Sequence, residues 1–163
     1  MSANLFDPEF DAEESRPGFT YRRARLGRQA GAERLGASLY ELEPGQAQWP
    51  MHYHLGNEEL LVVLSGKPTL RTLGEERELG EGEVVALPIG ERGAHQIVNR
   101  SDRLVRVLLV SEMSAPDIVV RPESGKLSAF GRAPGSADEG MHEVFFLRDA
   151  VDFWDGEEPP RDQ

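Results

Sequence analysis

The sequence contains no cysteine, which excludes disulfides, thiolate nucleophiles and cysteine-ligated zinc sites. It also lacks any apolar run near the roughly 18 residues that a membrane-spanning helix needs, so no membrane partner is expected. The first 14 residues are acidic and show no basic segment followed by an apolar one, so a secretory signal is not expected either. The cytoplasm is therefore the default prediction for location.

Basic residues are scarce relative to acidic ones. The chain has 18 Lys and Arg against 29 Asp and Glu, a formal net charge of -11. Binding to nucleic acid requires a basic surface, so nucleic acid is excluded as an expected partner. A small anionic ligand is not excluded, because a pocket can be locally positive inside an acidic protein. The length of 163 residues suits one domain with a sizeable core.

Short apolar segments separated by Gly and Pro turns run through most of the chain, a pattern typical of an all-β sandwich or barrel. We predict a flexible arm over 1–18, a single barrel domain over 19–148 and a tail over 149–163. Residues 27–31 and 125–138 are predicted as loops, and 149–154 as a helical turn. The predicted strands are 19–26, 35–42, 60–64, 69–73, 77–79, 84–87, 95–98, 104–110, 117–121 and 144–147.

The segment 51–66 carries the clearest chemical signal. His52 and His54 are two residues apart, so on an extended strand their imidazoles point to the same side. After a turn, Glu58 and Glu59 begin an apolar run, and a carboxylate that leads a buried strand needs a partner such as a bound cation. The spacing alone leaves open which glutamate faces inward.

Two sets of residues are spaced as motifs: Gly45, His52, His54, Glu59 and Gly66 in the first, and Gly82, Pro88, Gly90, His95 and Asn99 in the second. They resemble the two signature motifs of the cupin superfamily. The first motif places Glu59 after four intervening residues from His54, which is why we prefer Glu59 to Glu58 as a ligand. Two spacings depart from the family pattern, before His52 and before His95, and both lengthen turns.

The resemblance implies a double-stranded β-helix, the cupin or jelly-roll barrel, with a short helical or irregular extension at the C-terminus. It also implies a metal inside the barrel, held by His52, His54, Glu59 and His95, and often a homodimer. Three imidazoles and one carboxylate suit Fe, Mn, Ni, Co or Zn rather than Ca or Mg, so one divalent transition metal per chain is expected.

Other polar residues receive structural interpretations. We expect the arginines of the first predicted strand, Arg22, Arg23 and Arg25, to lie on a solvated face rather than in an anion site. Asn99 is expected to end a strand, and His142 to lie at the surface. Trp49 is compatible with either the barrel mouth or the core.

The function remains open between two hypotheses. Cupins with this ligand set include dioxygenases, decarboxylases and sugar-phosphate isomerases, so the resemblance implies a small-molecule substrate without fixing the reaction. No general acid or base can be placed in the pocket from the sequence, so the catalytic residues are unknown. The alternative is a non-catalytic module that binds or senses a small molecule, with a metal that anchors the ligand or supports the barrel.

Overall fold

The computed structural model of the protein describes residues 1–132 and 140–158, and within these ranges the fold is all-β. Thirteen strands, one five-residue helix and three short 3-10 turns make up its regular structure. The helix is α1 (Leu26–Ala30). The strands are β1 (Ala12–Arg16), β2 (Phe19–Ala24), β3 (Leu35–Leu42), β4 (Tyr53–His54), β5 (Glu59–Ser65), β6 (Thr69–Arg71), β7 (Glu76–Glu78), β8 (Val84–Leu87), β9 (Gln96–Val98), β10 (Val105–Glu112), β11 (Asp117–Arg121), β12 (Lys126–Phe130) and β13 (His142–Phe146).

All strand pairs among these residues are antiparallel, in three sheets. The largest has the order β1-β2-β3-β10-β5-β8, the second β13-β12-β11-β4 and the third β7-β6-β9. Neighbours in each sheet are often distant in sequence, as expected for a jelly-roll arrangement. This confirms the predicted all-β jelly-roll fold class.

The core lies on the inner face of the largest sheet, where residues two apart are buried together. On β5, Leu61 and Val63 are at most 1% exposed, whereas Leu60 is 38% exposed. Glu59 lies on the same side as Leu61, because successive side chains of a strand alternate. Burial of the aliphatic side chains stabilises the sheet by about 1.5–3 kcal/mol each. The inner face of β5 therefore carries both the core and a carboxylate.

Three local predictions differ from the structure. Residues 26–30 form helix α1 rather than a loop, ended by Gly31 in the left-handed conformation. Part of the segment predicted as a flexible arm forms β1, which pairs with β2. The predicted loop at 125–138 contains β12, which pairs with β11 on one side and β13 on the other.

Near the C-terminus, a 3-10 turn lies at Leu147–Asp149, ahead of the predicted helical turn over 149–154. Residues 133–138 of the predicted loop and 159–163 of the predicted tail lie outside the described residues. In the described ranges, no helix has the length and apolar character that crossing a membrane requires.

Candidate metal centre

The four candidate ligands come from neighbouring strand ends. His54 is the last residue of β4, which pairs with β11, and Glu59 is the first residue of β5. His52 and His95 face each other in a short antiparallel bridge, in which each backbone N–H donates to the other residue's carbonyl oxygen at 3.1 and 2.9 Å. Backbone pairing thus brings two segments 43 residues apart to one place.

Their side chains converge. One ligand atom from each of His52, His54 and Glu59 lies within 4.8 Å of the others. The carboxylate oxygen Oε2 of Glu59 is 3.5 Å from Nε2 of His95 and 3.7 Å from Nε2 of His54. The ring of His95 has its centroid 4.5 Å from that of His52. The structure therefore brings all four predicted residues together.

The Nδ1 atom of each histidine is engaged by an acceptor outside the cluster. In His52 it lies 2.9 Å from the Pro50 carbonyl oxygen, and in His95 it lies 2.9 Å from the Gly93 carbonyl oxygen. In His54 it lies 2.5 Å from Oδ2 of Asp117. Acceptors at these positions hold the proton on Nδ1, which leaves Nε2 with a lone pair facing the cluster.

Burial acts differently on the three imidazoles. Burial lowers the pKa of His52 well below its usual range, and the neighbouring His95 and His54 lower it further. Burial also lowers the pKa of His95. For His54, burial acts in the same direction, but the hydrogen bond to Asp117 and the charge of Glu59 outweigh it and raise the pKa. His52 and His95 are thus neutral near pH 7, as metal ligation requires.

Two buried polar atoms of the cluster have no hydrogen-bond partner. They show whether the residues present suit a bound cation. Oε2 of Glu59 and Nε2 of His95 each expose less than 1 Å² and form no hydrogen bond. A buried polar atom without a partner costs about 1–3 kcal/mol. A carboxylate oxygen and an imidazole nitrogen are both donor atoms that transition metals bind. A divalent cation at this point would satisfy both atoms, so the residues present fit a metal.

Comparison with known proteins agrees with this geometry. The sequence profile of the cupin domain matches residues 38–111, which span from β3 to β10 and include all four residues of the cluster. The chain therefore contains a cupin domain. Among curated proteins, none matches the sequence.

Three solved structures are similar to this cupin. A provisionally named sugar phosphate isomerase from Acidithiobacillus ferrooxidans is 27% identical, covering 83% of this chain and 81% of its own, with a TM-score of 0.72. A cupin-superfamily sugar phosphate isomerase from Silicibacter pomeroyi is 23% identical, covering 88% and 92%, with a TM-score of 0.73, and supports the fold alone. The polyketide cyclase RemF from Streptomyces resistomycificus is 28% identical, covering 60% and 68%, with a TM-score of 0.51.

The structure shows the surroundings of the cupin motif residues. Glu58 is exposed, and Glu59 faces the cluster. The extra residues between Gly90 and His95 form a 3-10 turn, Glu91–Gly93, whose last carbonyl oxygen accepts the hydrogen bond from His95. Asn99 is fully buried, and its side-chain amide donates to the carbonyl oxygens of Leu42 and Arg103, consistent with its predicted structural role.

A cavity of about 750 Å³ opens onto His52, His54 and Glu59. Polar side chains line its wall, among them Arg23, Tyr40, Gln48, Arg121 and His142. The prediction that Arg23 lies on a solvated face is therefore wrong, since this side chain is half-buried and faces the cavity. Trp49 also lines the cavity wall.

Asp117 is the residue of the centre that sequence reasoning missed. It is 1% exposed, and its second carboxylate oxygen accepts a hydrogen bond from the Gly56 backbone N–H at 2.8 Å. The side chain of Asn57 fixes the same loop by exchanging hydrogen bonds with the backbone of Ser114. No spacing signal marks Asp117, because it lies 63 residues from His54 along the chain.

Proposed function

We propose that this cupin is a metal-dependent enzyme that acts on a small molecule in the cavity above His52, His54, Glu59 and His95. The observation that carries the proposal is a set of buried polar atoms without hydrogen-bond partners, at the cluster and along the wall of the adjoining cavity. Within the described part of the chain these atoms are Glu59 Oε2, His95 Nε2, Gln48 Nε2 and Arg23 Nε. Three of the four residues line the cavity, and the fourth touches Glu59.

The four ligands would hold one divalent cation, with Fe, Mn, Ni, Co and Zn as candidates. When bound, such a cation supplies Lewis acidity toward a carbonyl or hydroxyl oxygen. The cluster itself sets the conditions for binding, because the Nδ1 partners fix the three rings and the buried carboxylate supplies negative charge. A purely structural cation fits less well, since the cluster faces an open cavity rather than packed side chains.

Isomerisation of a sugar phosphate is the reaction we favour among those open to cupins. One argument for this reaction is the 27% identical structure named a sugar phosphate isomerase, which is similar over most of both chains. The other is the cavity, because its arginines are suited to bind a phosphate group. Gln48 would donate its free Nε2–H to a substrate oxygen. Isomerisation also requires a proton to move between neighbouring carbons, and an imidazole is suited to that transfer near neutral pH.

His142 is our candidate for that proton transfer. Its ring stacks on Phe130 with centroids 4.2 Å apart, and it lines the cavity from β13. The side chain is exposed to solvent, as the sequence predicted, and it also lines the cavity. A ring held by stacking at the rim of a cavity is oriented toward a ligand at little further entropic cost.

The test has two stages. Elemental analysis of the purified protein should find about one transition metal per chain, and His52→Ala and His95→Ala should each remove most of it. The metal-loaded protein is then assayed against phosphorylated aldoses and ketoses, with His142→Gln expected to lower kcat and to leave metal content unchanged. Metal-dependent ligand binding without turnover of any substrate would favour the non-catalytic binding module instead. Unchanged metal content in both histidine variants would contradict the proposed centre.

A further inference from the structure

Two half-buried arginines line the cavity from different sheets. Arg23 comes from β2 of the largest sheet, and Arg121 is the last residue of β11 in the second sheet. Both belong to the same cavity wall as the candidate metal cluster. A ligand in this cavity would therefore meet guanidinium groups from two sides of the fold.

Arg23 has a tyrosine rather than a carboxylate as its partner. Burial lowers the pKa of Arg23, but the interaction with Tyr40, which includes a side-chain hydrogen bond, outweighs burial and raises the pKa, with smaller contributions from Tyr21 and Asp11. Arg23 lies opposite Tyr40 in the β2–β3 register, with its guanidinium carbon 6.0 Å from the tyrosine ring centroid. Its Nε is buried and forms no hydrogen bond. No carboxylate of the described residues lies within 4.0 Å of its guanidinium. By contrast, the adjacent Arg22 points to the other face of the strand and pairs with Glu41 at 3.3 Å.

Arg121 is less well compensated than Arg23. One Nη donates a hydrogen bond to the hydroxyl of Ser128 at 2.6 Å, and across the described residues no carboxylate lies within 4.0 Å. Burial lowers the pKa of Arg121. Arg121 lies two residues after Val119, which pairs with His54 in the β11–β4 register, and it lines the same cavity as His52 and His54. A desolvated cation without a counter-ion is unfavourable unless a ligand supplies one.

The cavity as a whole has the opposite charge balance from the protein. Its lining includes two glutamates, Glu33 and Glu59, whereas the chain carries a net charge of -11. If Glu59 binds a cation, its charge is already compensated. The lining arginines are Arg23, Arg25, Arg28, Arg121 and Arg132, of which Arg25 is already paired with Asp11 at 3.0 Å.

From this arrangement we infer that Arg23 and Arg121 form an oxyanion subsite, which binds the phosphate or carboxylate end of the substrate. Guanidinium groups bind such oxyanions through paired, charge-assisted hydrogen bonds. The subsite deepens the proposed function and rests on it only in calling the bound anion a substrate. In that reading the subsite fixes one end of the molecule and leaves the other end to reach the cluster.

The test measures binding of inorganic phosphate, and separately of acetate, to the full-length protein by isothermal titration calorimetry. Arg23→Gln and Arg121→Gln should each weaken the affinity for the preferred anion about tenfold or more, as expected for loss of a charge-assisted contact. Arg23→Lys and Arg121→Lys keep the charge and should recover part of that loss. Arg22→Gln, on the same strand but facing away, is the matched control and should bind as the wild type does. Circular dichroism and thermal unfolding verify that each variant is folded.

Each result is decisive for the subsite. The arginine-dependent part of the affinity should persist after a chelator removes bound metal. If phosphate affinity vanishes on chelation and is unchanged in Arg23→Gln and Arg121→Gln, the metal alone binds the anion and the subsite is wrong. Absence of binding for both anions, or an equal loss in Arg22→Gln, overturns it as well. If the arginine variants lose anion binding but no metal-dependent turnover is found, the subsite stands and the enzyme proposal fails.

Discussion

The substitution Asp117→Asn removes one charge at nearly constant shape, beside the candidate metal centre. The carboxylate of Asp117 accepts hydrogen bonds from Nδ1 of His54 at 2.5 Å and from the Gly56 N–H at 2.8 Å. An asparagine side chain has one acceptor oxygen and one donor NH₂ group. It therefore satisfies only one of these donors, and in the other contact two donors face each other.

The consequence depends on which contact is kept. If the amide oxygen stays with Gly56, the NH₂ group faces His54 and favours the tautomer with its proton on Nε2. That tautomer cannot ligate through Nε2. Loss of such a supporting carboxylate typically lowers metal affinity by 10- to 100-fold, equivalent to about 1.4–2.8 kcal/mol. The cost to folding should be about 1–3 kcal/mol, because Asp117 is 1% exposed and one polar contact becomes unsatisfied.

The assay is a competition titration of Co²⁺ or Zn²⁺ against a chelator of known affinity, made on wild type and variant at the same pH. Glu58→Gln is the matched control, because it removes one carboxylate charge from an exposed side chain close to the centre. Its metal affinity should remain near that of the wild type. A folded Asp117→Asn variant with wild-type metal affinity would refute the argument that this carboxylate positions His54.

Three further predictions concern the ligands, pH and assembly. Glu59→Gln should weaken metal binding more than Glu58→Gln, and equal or reversed effects in the same titration would overturn the choice of Glu59. Metal occupancy, followed by elemental analysis, should fall as the pH decreases through about 6, because protons compete with the metal for imidazole nitrogens. Burial lowers the pKa of His52 and so opposes this loss. Full metal occupancy at pH 4 would contradict histidine ligation. We still predict a homodimer, and the edge strand β13 with its apolar side chains is the surface we expect to pair. Phe145→Asp, at a side chain 51% exposed, should therefore shift the mass measured by light scattering toward the monomer, whereas Leu73→Asp on a hairpin tip should not.

Local spacing explains why much of the cluster could be predicted from the sequence. His52 and His54 are two residues apart, so they point to the same side of an extended segment. Glu59 begins a strand whose apolar residues identify the inner side. His95 has no such local relation to the others. Its placement depended on a second motif, and the structure brings it in through the backbone bridge to His52.

The cavity wall could not be predicted in the same way. Arg22 and Arg23 are neighbours of identical type, and only the pairing of β2 with β3 decides which one faces the cavity. Strand β12 was missed for a related reason. Its segment is rich in small residues with weak strand propensity, and it is held as a strand by pairing on both sides. In both cases the pairing of strands, which local sequence patterns do not predict, decides the outcome.

The unsatisfied atoms also bear on what the cavity binds. A cation held at the cluster would provide a partner for Glu59 Oε2 and His95 Nε2. It would leave Gln48 Nε2 and Arg23 Nε, both hydrogen-bond donors that expose less than 1 Å². Two buried donors without acceptors would together destabilise the fold by several kcal/mol, at about 1–3 kcal/mol each. A metal serving only to hold the barrel together does not relieve that cost. An acceptor oxygen that enters from the cavity does, and a polar, anionic ligand beside the metal would supply one.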